Sequence, residues 1–577
     1  MFHALVLLAP FAVQLPAAAP APTAPAPTAP APTAPAPVAP REWIAGRIAY
    51  KLRAGADGAA IRSLGDPASH RPIFLPAKFE DRVGLARWFS CDVAPGAEDA
   101  AVAHLRAAPE IEWAERVNDG LAIAGNPPQP PNDPTYAIQW CLSQANDVDM
   151  DVPEAWTLRG TYSADPALLV GVVDTGYDTQ FANPDFANVI WTNPAEVQNG
   201  IDDDGNGLVD DLHAWDFVNN DAVPHSDHPH GTQTASVIAA RTDNGFAIAG
   251  VASGVRVVPV KAFDAGGFYP CCGPWAGAIS GAVSLQYCVD AGCAIINNSW
   301  TNASSPFQAQ QDAVQYALDR GVHVVFAAGN ANTTVAWPPM TEGVIAVAGI
   351  DANGVRSNWG FQASNYGPWV EISAGGTDVW VDTTGGGTTP SDGTSFACPN
   401  VVGVGALVLS EAPKLSTDDL IAVLKEGAVS VDAQNPGFIG QLGAGHANAL
   451  FSLRLLKPVD DLGGAFGGAQ LPVLNGWGAL VAGKQLSLSV SRARVSSAGA
   501  LVVGFSAANL PLFGGVLVPS ADVVAPFVTS AKGALKQVYP ITAPLPAGIQ
   551  LRAQAGIVDP TAPQGVALTN ALLLSVP

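Results

Sequence analysis

Three polar residues, far apart in the sequence, have side chains that could together activate a nucleophile. Asp174 follows the apolar run 167–173, and His230 precedes a predicted helix of small residues. Ser395 begins a second predicted helix of this kind. A carboxylate can hold the tautomer of a histidine ring, and the histidine can then accept the proton of a serine hydroxyl. Singly, such residues are typical of turns, surfaces and helix caps. Together they predict catalysis by a serine nucleophile.

The motifs around these residues resemble those of the subtilisin-like serine proteases, the subtilases. The order Asp, His, Ser along the chain is that of this family and differs from the order in other triad folds. AAGN at 327–330 resembles the family's oxyanion-hole segment, and IINNSW at 295–300 resembles its substrate-binding strand. The resemblance extends over about residues 132–450.

The resemblance implies a role for each residue. Ser395 would attack the peptide carbonyl, His230 would act first as general base and then as general acid, and Asp174 would orient His230. The Asn330 amide and the backbone N–H of Ser395 would hold the oxyanion. The implied substrate-binding residues lie in the two segments just named and are Asn298, Ser299, Trp300, Ala327, Ala328 and Gly329.

The pattern between the motifs predicts an α/β fold, with a subtilisin-like parallel sheet and helices on both faces. Near-continuous apolar runs, typical of strands buried on both faces, alternate with helical stretches such as 308–321. The runs are 167–176, 255–263, 293–300, 322–330 and 343–350. Active sites of such sheets gather at the carboxyl ends of the strands, and we expect the catalytic residues there.

Composition divides the 577-residue chain into six predicted segments. An apolar start followed by alanines predicts an export signal, and a repeated APAPT unit predicts a semi-rigid spacer. An α+β segment resembles the family's inhibitory propeptide, and a Pro-rich loop after it predicts the processing site. An all-β domain of unknown role is predicted at the end. The segments are the signal peptide 1–19, the spacer 20–40, the propeptide-like domain 41–124, the processing loop 125–131, the catalytic domain 132–456 and the C-terminal domain 457–577.

The charge balance excludes several classes of function. Lys and Arg number 27 and Asp and Glu number 50, which gives a net charge of −23 and disfavours binding to nucleic acid or to anionic lipid. A hydrophobic share of 48% excludes a disordered chain. No stretch reaches the roughly 18 apolar residues that a membrane span needs. We expect a secreted monomer whose partners are peptide substrates and its own propeptide.

An acidic loop predicts a structural calcium site. Residues 200–211 read GIDDDGNGLVDD and have the spacing of an EF-hand start, although His213 stands at position twelve. A solvated acidic turn is the alternative. The segment 215–221 resembles the calcium loop of thermitase-like subtilases, and one aspartate before it matches a further family position. The predicted ligands are Asp202, Asp204, Asn206 and Asp210, then Asp216, Asn219 and Asp221, and finally Asp185.

Seven cysteines allow disulfides if the chain is exported. Adjacent Cys271 and Cys272 are predicted to pair with Cys288 and Cys293, because bonding to each other would be strained. A zinc site is the alternative, but the spacing fits no common zinc pattern. The remaining cysteines are Cys91, Cys141 and Cys398.

A second class of function is still open: an inert, protease-like scaffold whose C-terminal domain serves adhesion or binding. The intact catalytic set favours the enzyme. The segments 298–301 and 327–330 contain no carboxylate, so we expect cleavage after apolar or aromatic residues rather than after Arg or Lys. Asp264 and Asp290, on other loops, are the carboxylates that could alter this preference.

Overall fold

The computed structural model describes residues 43–52, 71–72, 88–92, 98–108, 111–118, 130–302, 305–543, 545–546 and 548–576. The predicted signal peptide, the spacer and residues 125–129 of the processing loop lie outside these ranges. The chain divides into two compact units, Met1–Ala124 and Gly125–Pro577. The boundaries of the six predicted segments stay predictions.

In the first unit, antiparallel strands form a sheet in the order β2-β3-β1-β4. The strands are β1 (Trp43–Leu52), β2 (Arg71–Pro72), β3 (Trp88–Asp92) and β4 (Ile111–Asn118). Helix α1 (Glu98–Ala107) lies between β3 and β4 in the chain. It ends two residues before Pro109, which has no amide hydrogen to continue a helix. Leu105 of α1 and Ile111 of β4 are buried.

The second unit contains a parallel sheet in the order β10-β9-β8-β7-β5-β6. Every residue of β5, β8 and β9 is buried, because helices cover both faces of the sheet. The predicted α/β fold is confirmed. The strands are β5 (Leu169–Asp174), β6 (Arg256–Lys261), β7 (Ile295–Asn298), β8 (His323–Ala327), β9 (Ile345–Ile350) and β10 (Ile372–Gly375).

Two groups of helices form the layers on this sheet. Residues of α3 and α6 share one core cluster, and residues of α4 and α5 share another. A hairpin of β11 (Val379–Thr383) and β12 (Gly387–Ser391) leads into α6. The helices are α2 (Val152–Arg159), α3 (His230–Ala239), α4 (Ile279–Asp290), α5 (Gln308–Asp319), α6 (Thr394–Glu411), α7 (Thr417–Gly427) and α8 (Ala449–Leu456).

Helix α6 is long and apolar. By length and composition alone, its 18 residues could cross a membrane. However, 83% of it is buried inside the protein, among side chains of α3 and the sheet. The apolar composition is therefore explained by its place in the core.

The C-terminal part consists of antiparallel strands, as predicted. One sheet has the order β13-β23-β21-β16-β19 with β22 paired to β21, a second has the order β14-β15-β20, and β17 pairs with β18. The strands are β13 (Val459–Gly463), β14 (Val473–Gly478), β15 (Gln485–Ser491), β16 (Ala498–Gly504), β17 (Ala507–Leu512), β18 (Gly515–Pro519), β19 (Val523–Val528), β20 (Leu535–Pro540), β21 (Gln550–Val558), β22 (Val566–Leu568) and β23 (Ala571–Ser575).

Buried polar contacts join these strands to the α/β part. Asp419 of α7 accepts hydrogen bonds from Ser489 Oγ at 2.6 Å and Asn475 Nδ2 at 3.2 Å. Trp477 of β14 is fully buried in the same core cluster as α6. The C-terminal strands are thus packed into the body of the second unit.

Candidate active site

Each of the three motif residues stands at the end or the beginning of an element. Asp174 is the last residue of β5, His230 is the first residue of α3, and Ser395 is the second residue of α6. Contacts from Ser395 to Ser299, which directly follows β7, place the start of α6 at the carboxyl edge of the sheet. The parallel topology therefore brings the three motifs to one edge, as expected.

Asp174 and His230 form a short, shielded contact. His230 Nδ1 lies 2.7 Å from Asp174 Oδ1. The carboxylate also accepts hydrogen bonds from the Thr175 amide at 2.8 Å and from Thr234 Oγ1 at 3.2 Å. The Asp174 side chain is 3% exposed and that of His230 is 23% exposed, with the ring packed on Phe396. Asp174 is therefore held in place by two further donors while the outer edge of the His230 ring stays accessible.

This contact sets the protonation of His230. Burial alone lowers the pKa of the imidazole, but the charge and the hydrogen bond of Asp174 outweigh it, so the pKa of His230 is raised above its ordinary 6.5. With Nδ1 bonded to the carboxylate, Nε2 is the ring nitrogen left to exchange a proton.

Ser395 is anchored to the strand end rather than to His230. Its Oγ donates to the Ser299 carbonyl at 3.1 Å, and Ser299 Oγ donates to the Ser395 carbonyl at 2.7 Å. The backbone N–H of Ser395 belongs to the first turn of α6, where amides have no partner within the helix. Catalytic hydrogen bonds are often absent before substrate binds, so this rotamer is compatible with a nucleophile.

Asn330 is fixed by its oxygen. Asn330 Oδ1 accepts hydrogen bonds from the Thr394 amide at 3.0 Å and from Thr394 Oγ1 at 2.8 Å. The other end of the amide, Nδ2, is directed towards Gly393, where a Cβ would lie 3.4 Å from it. Gly393 has a φ of +139°, a backbone conformation that favours glycine. The donor end of Asn330 thus lies beside the residues that lead into Ser395.

The side chains of Asn298 and Trp300 pack in two different places. Asn298 is fully buried, and its Nδ2 donates to the Val325 carbonyl at 3.1 Å, so this predicted substrate-binding side chain instead ties β7 to β8. Trp300 packs against Phe326, with ring centroids 4.9 Å apart, and against Tyr269, with centroids 6.1 Å apart. Trp300 therefore belongs to an aromatic cluster beside the strand end.

The segment 327–329 is a wall of backbone. Ala327 and Ala328 are buried, at 1% and 0% exposure. Gly329 has a φ of +96°, and a Cβ there would lie 2.7 Å from Asn365 Nδ2 and 3.2 Å from Thr301 Oγ1. Only glycine fits this position, and the wall presents no charged side chain.

Three carboxylate side chains cluster in the acidic loop, and one of them, Glu196, was not among the predicted ligands. Glu196, Asp202 and Asp204 offer oxygens that all lie within 4.8 Å of one another. Glu196 is 4% exposed; its Oε1 accepts from the amides of Asp203 and Asp204, whereas its buried Oε2 has no hydrogen-bond partner. An orphaned carboxylate oxygen beside two others fits a hard cation such as calcium.

Two predicted ligands of this loop point elsewhere. Asp210 is not among the three clustered carboxylates; its Oδ1 accepts hydrogen bonds from the amides of Asn199 at 2.8 Å and Gly200 at 3.0 Å, which closes the loop. Asn206 Oδ1 accepts from the Leu208 amide, and Asn206 Nδ2 donates to Asp211 Oδ2. Its carbonyl oxygen is thus engaged within the loop.

At the second predicted calcium position, a lysine already neutralises the carboxylate. Lys261 Nζ lies 3.0 Å from Asp216 Oδ2, and both side chains are 1% exposed. Asp216 Oδ2 also accepts from Asn219 Nδ2 at 2.8 Å, while Asp221 caps the Val223 amide. The geometry therefore does not fit a calcium ion here, because the ammonium group supplies the positive charge.

Asp185 has a carboxylate neighbour that the sequence motifs did not reveal. Asp185 and Asp382 are both fully buried. Asn244 Nδ2 donates to Asp185 Oδ1 at 2.7 Å, and Asn183 Nδ2 donates to Asp382 Oδ2 at 2.9 Å, but no N–H or O–H donor reaches Asp382 Oδ1 unless Asp185 and Asp382 share a proton. Burial and the adjacent Asp382 raise the pKa of Asp185. A proton or a cation must relieve this pair, which fits a cation position at Asp185.

The cysteines do not have the predicted cross-pairing. Cys271 and Cys272 are exposed, with their Sγ atoms 3.1 Å apart, whereas Cys288 and Cys293 are buried at 0% and 2% exposure. The cysteines whose side chains are described are free thiols; the side chain of Cys91 is not among them. An exposed pair cannot bond to a pair inside the core without rearrangement of the backbone.

Comparison with known proteins places this chain in a family. The model of the subtilase family matches residues 165–445. Thermitase of Thermoactinomyces vulgaris is 32% identical over 289 residues, which cover 50% of this chain and 88% of thermitase. An extracellular protease of Xanthomonas campestris is 31% identical over 340 residues, 55% of this chain and 56% of that protein.

Two further matches cover different fractions of the matched proteins. A thermophilic serine proteinase of a Bacillus species is 33% identical over 244 residues, and the chain spans about half of it, 52%. A solved protease structure from Pseudoalteromonas arctica has 26% identity and a TM-score of 0.44, covering 56% of this chain and 99% of that one. On the match to the family model and to nearly the whole of thermitase, the chain belongs to the subtilase family of serine endopeptidases.

Proposed function

We propose that the chain is a secreted, self-processing endopeptidase that hydrolyses peptide bonds through Asp174, His230 and Ser395. The observation that carries this proposal is the 2.7 Å contact between His230 Nδ1 and Asp174 Oδ1, at the edge where α6 presents Ser395. A buried carboxylate fixes the tautomer in which Nε2 is the base. An inert scaffold would not need such an arrangement.

In the proposed reaction, Ser395 Oγ turns from the Ser299 carbonyl to His230 Nε2 and loses its proton as it attacks the substrate carbonyl. His230 becomes an imidazolium that Asp174 stabilises, and it then protonates the leaving amine. Water repeats the cycle on the acyl-enzyme and releases the new carboxyl end.

The oxyanion that forms in each half-reaction would be held by Asn330 Nδ2 and the Ser395 backbone N–H. The proposal is supported by the two hydrogen bonds from Thr394 to Asn330 Oδ1, which orient the amide in advance. Such pre-oriented donors contribute about 3–4 kcal/mol of transition-state stabilisation.

Labelling with a fluorophosphonate tests the proposal directly, because this reagent bonds only to an activated serine. We expect stoichiometric labelling of Ser395 in the wild-type protein. We expect none in Ser395→Ala or in heat-unfolded wild-type protein. Absence of labelling in a folded wild-type protein would favour the inert scaffold with a C-terminal binding domain.

Maturation and export are part of the same proposal. The segment 41–124 would act as the inhibitory propeptide, and cleavage would fall within 125–131, after export directed by 1–19. N-terminal sequencing of protein secreted by the native host tests both cuts. The Ser395→Ala variant should keep its propeptide; a clipped Ser395→Ala protein would show that another protease performs the cut.

We further propose structural calcium at two places. Glu196, Asp202 and Asp204 would hold one ion, and Asp185 with Asp382 would hold another. The support is the unpartnered oxygens of Glu196 and Asp382, each buried among carboxylates. Calcium there would cross-link loops and stabilise the folded state, since the unfolded chain lacks the site. No catalytic step uses it. Equilibrium dialysis against calcium should find bound ions; a protein that retains none would refute this part.

A further inference from the structure

The loop 262–278, between β6 and α4, has a pair of exposed adjacent thiols at its tip. Cys271 and Cys272 are both exposed, and their Sγ atoms are 3.1 Å apart. Gly273, which follows, has a φ of +92° and no neighbour within 4 Å of a Cβ placed there. The tip is therefore open to small solutes, and its thiols already face each other.

The loop is tied down on both sides of this tip. Before the cysteines, the Tyr269 hydroxyl donates to Asn302 Oδ1 at 2.7 Å, and the Pro270 carbonyl accepts from the Gly277 amide at 2.8 Å. After them, Trp275 Nε1 donates to Asn220 Oδ1 at 2.9 Å. Because these hydrogen bonds hold the loop on both sides, a change of backbone conformation at the tip displaces the bonded residues Tyr269, Pro270 and Trp275.

One of these anchors reaches the predicted substrate-binding strand. The Tyr269 ring packs at 6.1 Å from Trp300 and at 4.9 Å from Phe263, and its hydroxyl also accepts from Gln310 Nε2 at 2.9 Å. Cys271 is only two residues from Tyr269. The cysteine pair is therefore linked to the position of Trp300 through one aromatic side chain.

The other nearby cysteines cannot take part. Cys288 is fully buried on α4, where its Sγ lies so close to Gly171 that a Cβ there would be 2.7 Å away. Cys293 is 2% exposed. A soluble oxidant reaches Cys271 and Cys272 without unfolding the core, and it does not reach these two.

We propose that Cys271 and Cys272 are a reversible redox site, which small disulfides such as oxidised glutathione convert to a vicinal disulfide that weakens substrate binding next to Trp300. The thiolate of one cysteine attacks the small disulfide, forms a mixed disulfide and releases one small thiol. The second cysteine gives up its proton and attacks the protein sulfur of the mixed disulfide, releasing a second small thiol. One protein S–S bond forms, the small S–S bond breaks, and two electrons and two protons pass to the oxidant.

The geometry explains both the formation and the later reduction of a disulfide between Cys271 and Cys272. The second attack is intramolecular between touching sulfurs, so it outcompetes a second mixed disulfide. The ring that closes across a single peptide bond is strained, and strained, exposed disulfides are the ones that small thiols reduce again. The strain falls on the peptide between Cys271 and Cys272, which directly follows Pro270.

Mass spectrometry of the Ser395→Ala protein after treatment with oxidised glutathione tests the site without autolysis and without reference to peptidase activity. We expect loss of two hydrogen atoms per chain, a cross-linked peptide with both Cys271 and Cys272, and recovery with dithiothreitol. The matched controls Cys271→Ser and Cys272→Ser should each keep one glutathionyl group, because no neighbour resolves it. Stable glutathionylation of the unsubstituted pair, a bond to Cys288 or Cys293, or no reaction would each overturn the assignment.

The effect on substrate binding rests on the proposed function and needs the active enzyme. In oxidised wild type we expect KM for a peptide substrate to rise about threefold with kcat unchanged, as for lost ground-state binding. The double variant Cys271→Ser, Cys272→Ser should not respond to the oxidant. An unchanged KM at complete oxidation would overturn the coupling, whereas an enzyme inactive even when reduced would count against the proposed function instead.

Discussion

Lys261 Nζ lies 2.6 Å from Asp227 Oδ2 and 3.0 Å from Oδ2 of the buried Asp216. Asp227 precedes His230 by three residues in the chain. Lys261 itself ends β6, whose last residue is paired with Asp174 of β5. One buried lysine thus connects the strand beside Asp174 to the segment that leads into His230. Both carboxylates raise the pKa of Lys261 against the effect of burial, so the ammonium form is favoured.

The first prediction concerns this ion pair. Lys261→Met should lower the free energy of unfolding by about 3–5 kcal/mol, because the buried Asp216 would lose the positive charge that compensates its own. Asp227→Asn is the matched control: its side chain is 42% exposed, and Lys261 keeps Asp216, so a loss of about 1 kcal/mol or less is expected. Urea unfolding measures both, and equal losses would contradict the assigned asymmetry.

The second prediction concerns the acid limb of activity. Only neutral His230 can accept a proton, and Asp174 raises its pKa, so kcat/KM should fall as the pH drops through a midpoint above 6.5. Asp174→Asn should move this midpoint to lower pH and reduce kcat by about 10⁴-fold, since the anion and the tautomer control are both lost. A pH profile with a short peptide substrate checks both effects. An unchanged midpoint in Asp174→Asn would show that another group sets it.

The third prediction separates two acidic residues of one loop. Glu196→Gln should reduce the drop in melting temperature that a calcium chelator causes, because the variant has lost the buried Glu196 oxygen offered to the ion. Asp210→Asn should leave that drop intact, since Asp210 is not among the three clustered carboxylates. Thermal melts with and without chelator provide the measurement. A wild-type melting temperature that does not respond to the chelator would refute calcium binding.

The fourth prediction uses a buried histidine that takes no part in the proposed reaction. His446 is 2% exposed, its Nε2 has no hydrogen-bond partner, and burial lowers its pKa to about 4. In the unfolded chain His446 binds a proton with its ordinary pKa of 6.5, whereas in the folded protein it binds one only near pH 4. Stability is therefore fully present above 6.5 and is lost as the pH falls towards 4, by up to about 3 kcal/mol.

His446→Gln should flatten this part of the curve of unfolding free energy against pH. His323 has the same lowered pKa of about 4, so part of the slope should survive in the single variant. A slope identical to that of the wild type in His446→Gln would contradict the argument.

The sequence predicted the parts of the site that depend on local pattern and missed those that depend on long-range packing. Asp174 was predictable because it ends a buried apolar run, and His230 and Ser395 because small-residue helices follow them. The partner of Asp185 was not, because Asp382 comes from a hairpin almost two hundred residues later. A charged residue inside the strand pattern VWVDT was the available signal.

The contacts of two further charged residues, Lys261 and Glu196, could also not be predicted from the sequence. Lys261 directly follows the mostly apolar residues 255–260, and a lysine at such a position indicates a buried ion pair. The fold was needed to show that its partner is Asp216, which the sequence analysis had predicted to be a calcium ligand. Glu196 stands six residues before the acidic run and is brought into it by a loop. Spacing rules describe ligands on one short segment, so they included Asp210 and left out Glu196.

The last prediction concerns specificity at the residue before the cut. The walls expected to form this pocket are Ser299 with its neighbours and the backbone of 327–329, which includes the two buried alanines and Gly329. Asp264 and Asp290 already have other contacts: Asp264 Oδ1 caps the amides of Gly266 and Phe268, and Asp290 accepts from the Tyr316 hydroxyl at 2.6 Å. An arginine side chain buried there would lack a partner, which is costly. We therefore expect kcat/KM to favour Phe or Leu over Arg in matched peptides. A preference for Arg of about tenfold, which corresponds to about 1.4 kcal/mol, would show that a carboxylate from elsewhere reaches the pocket.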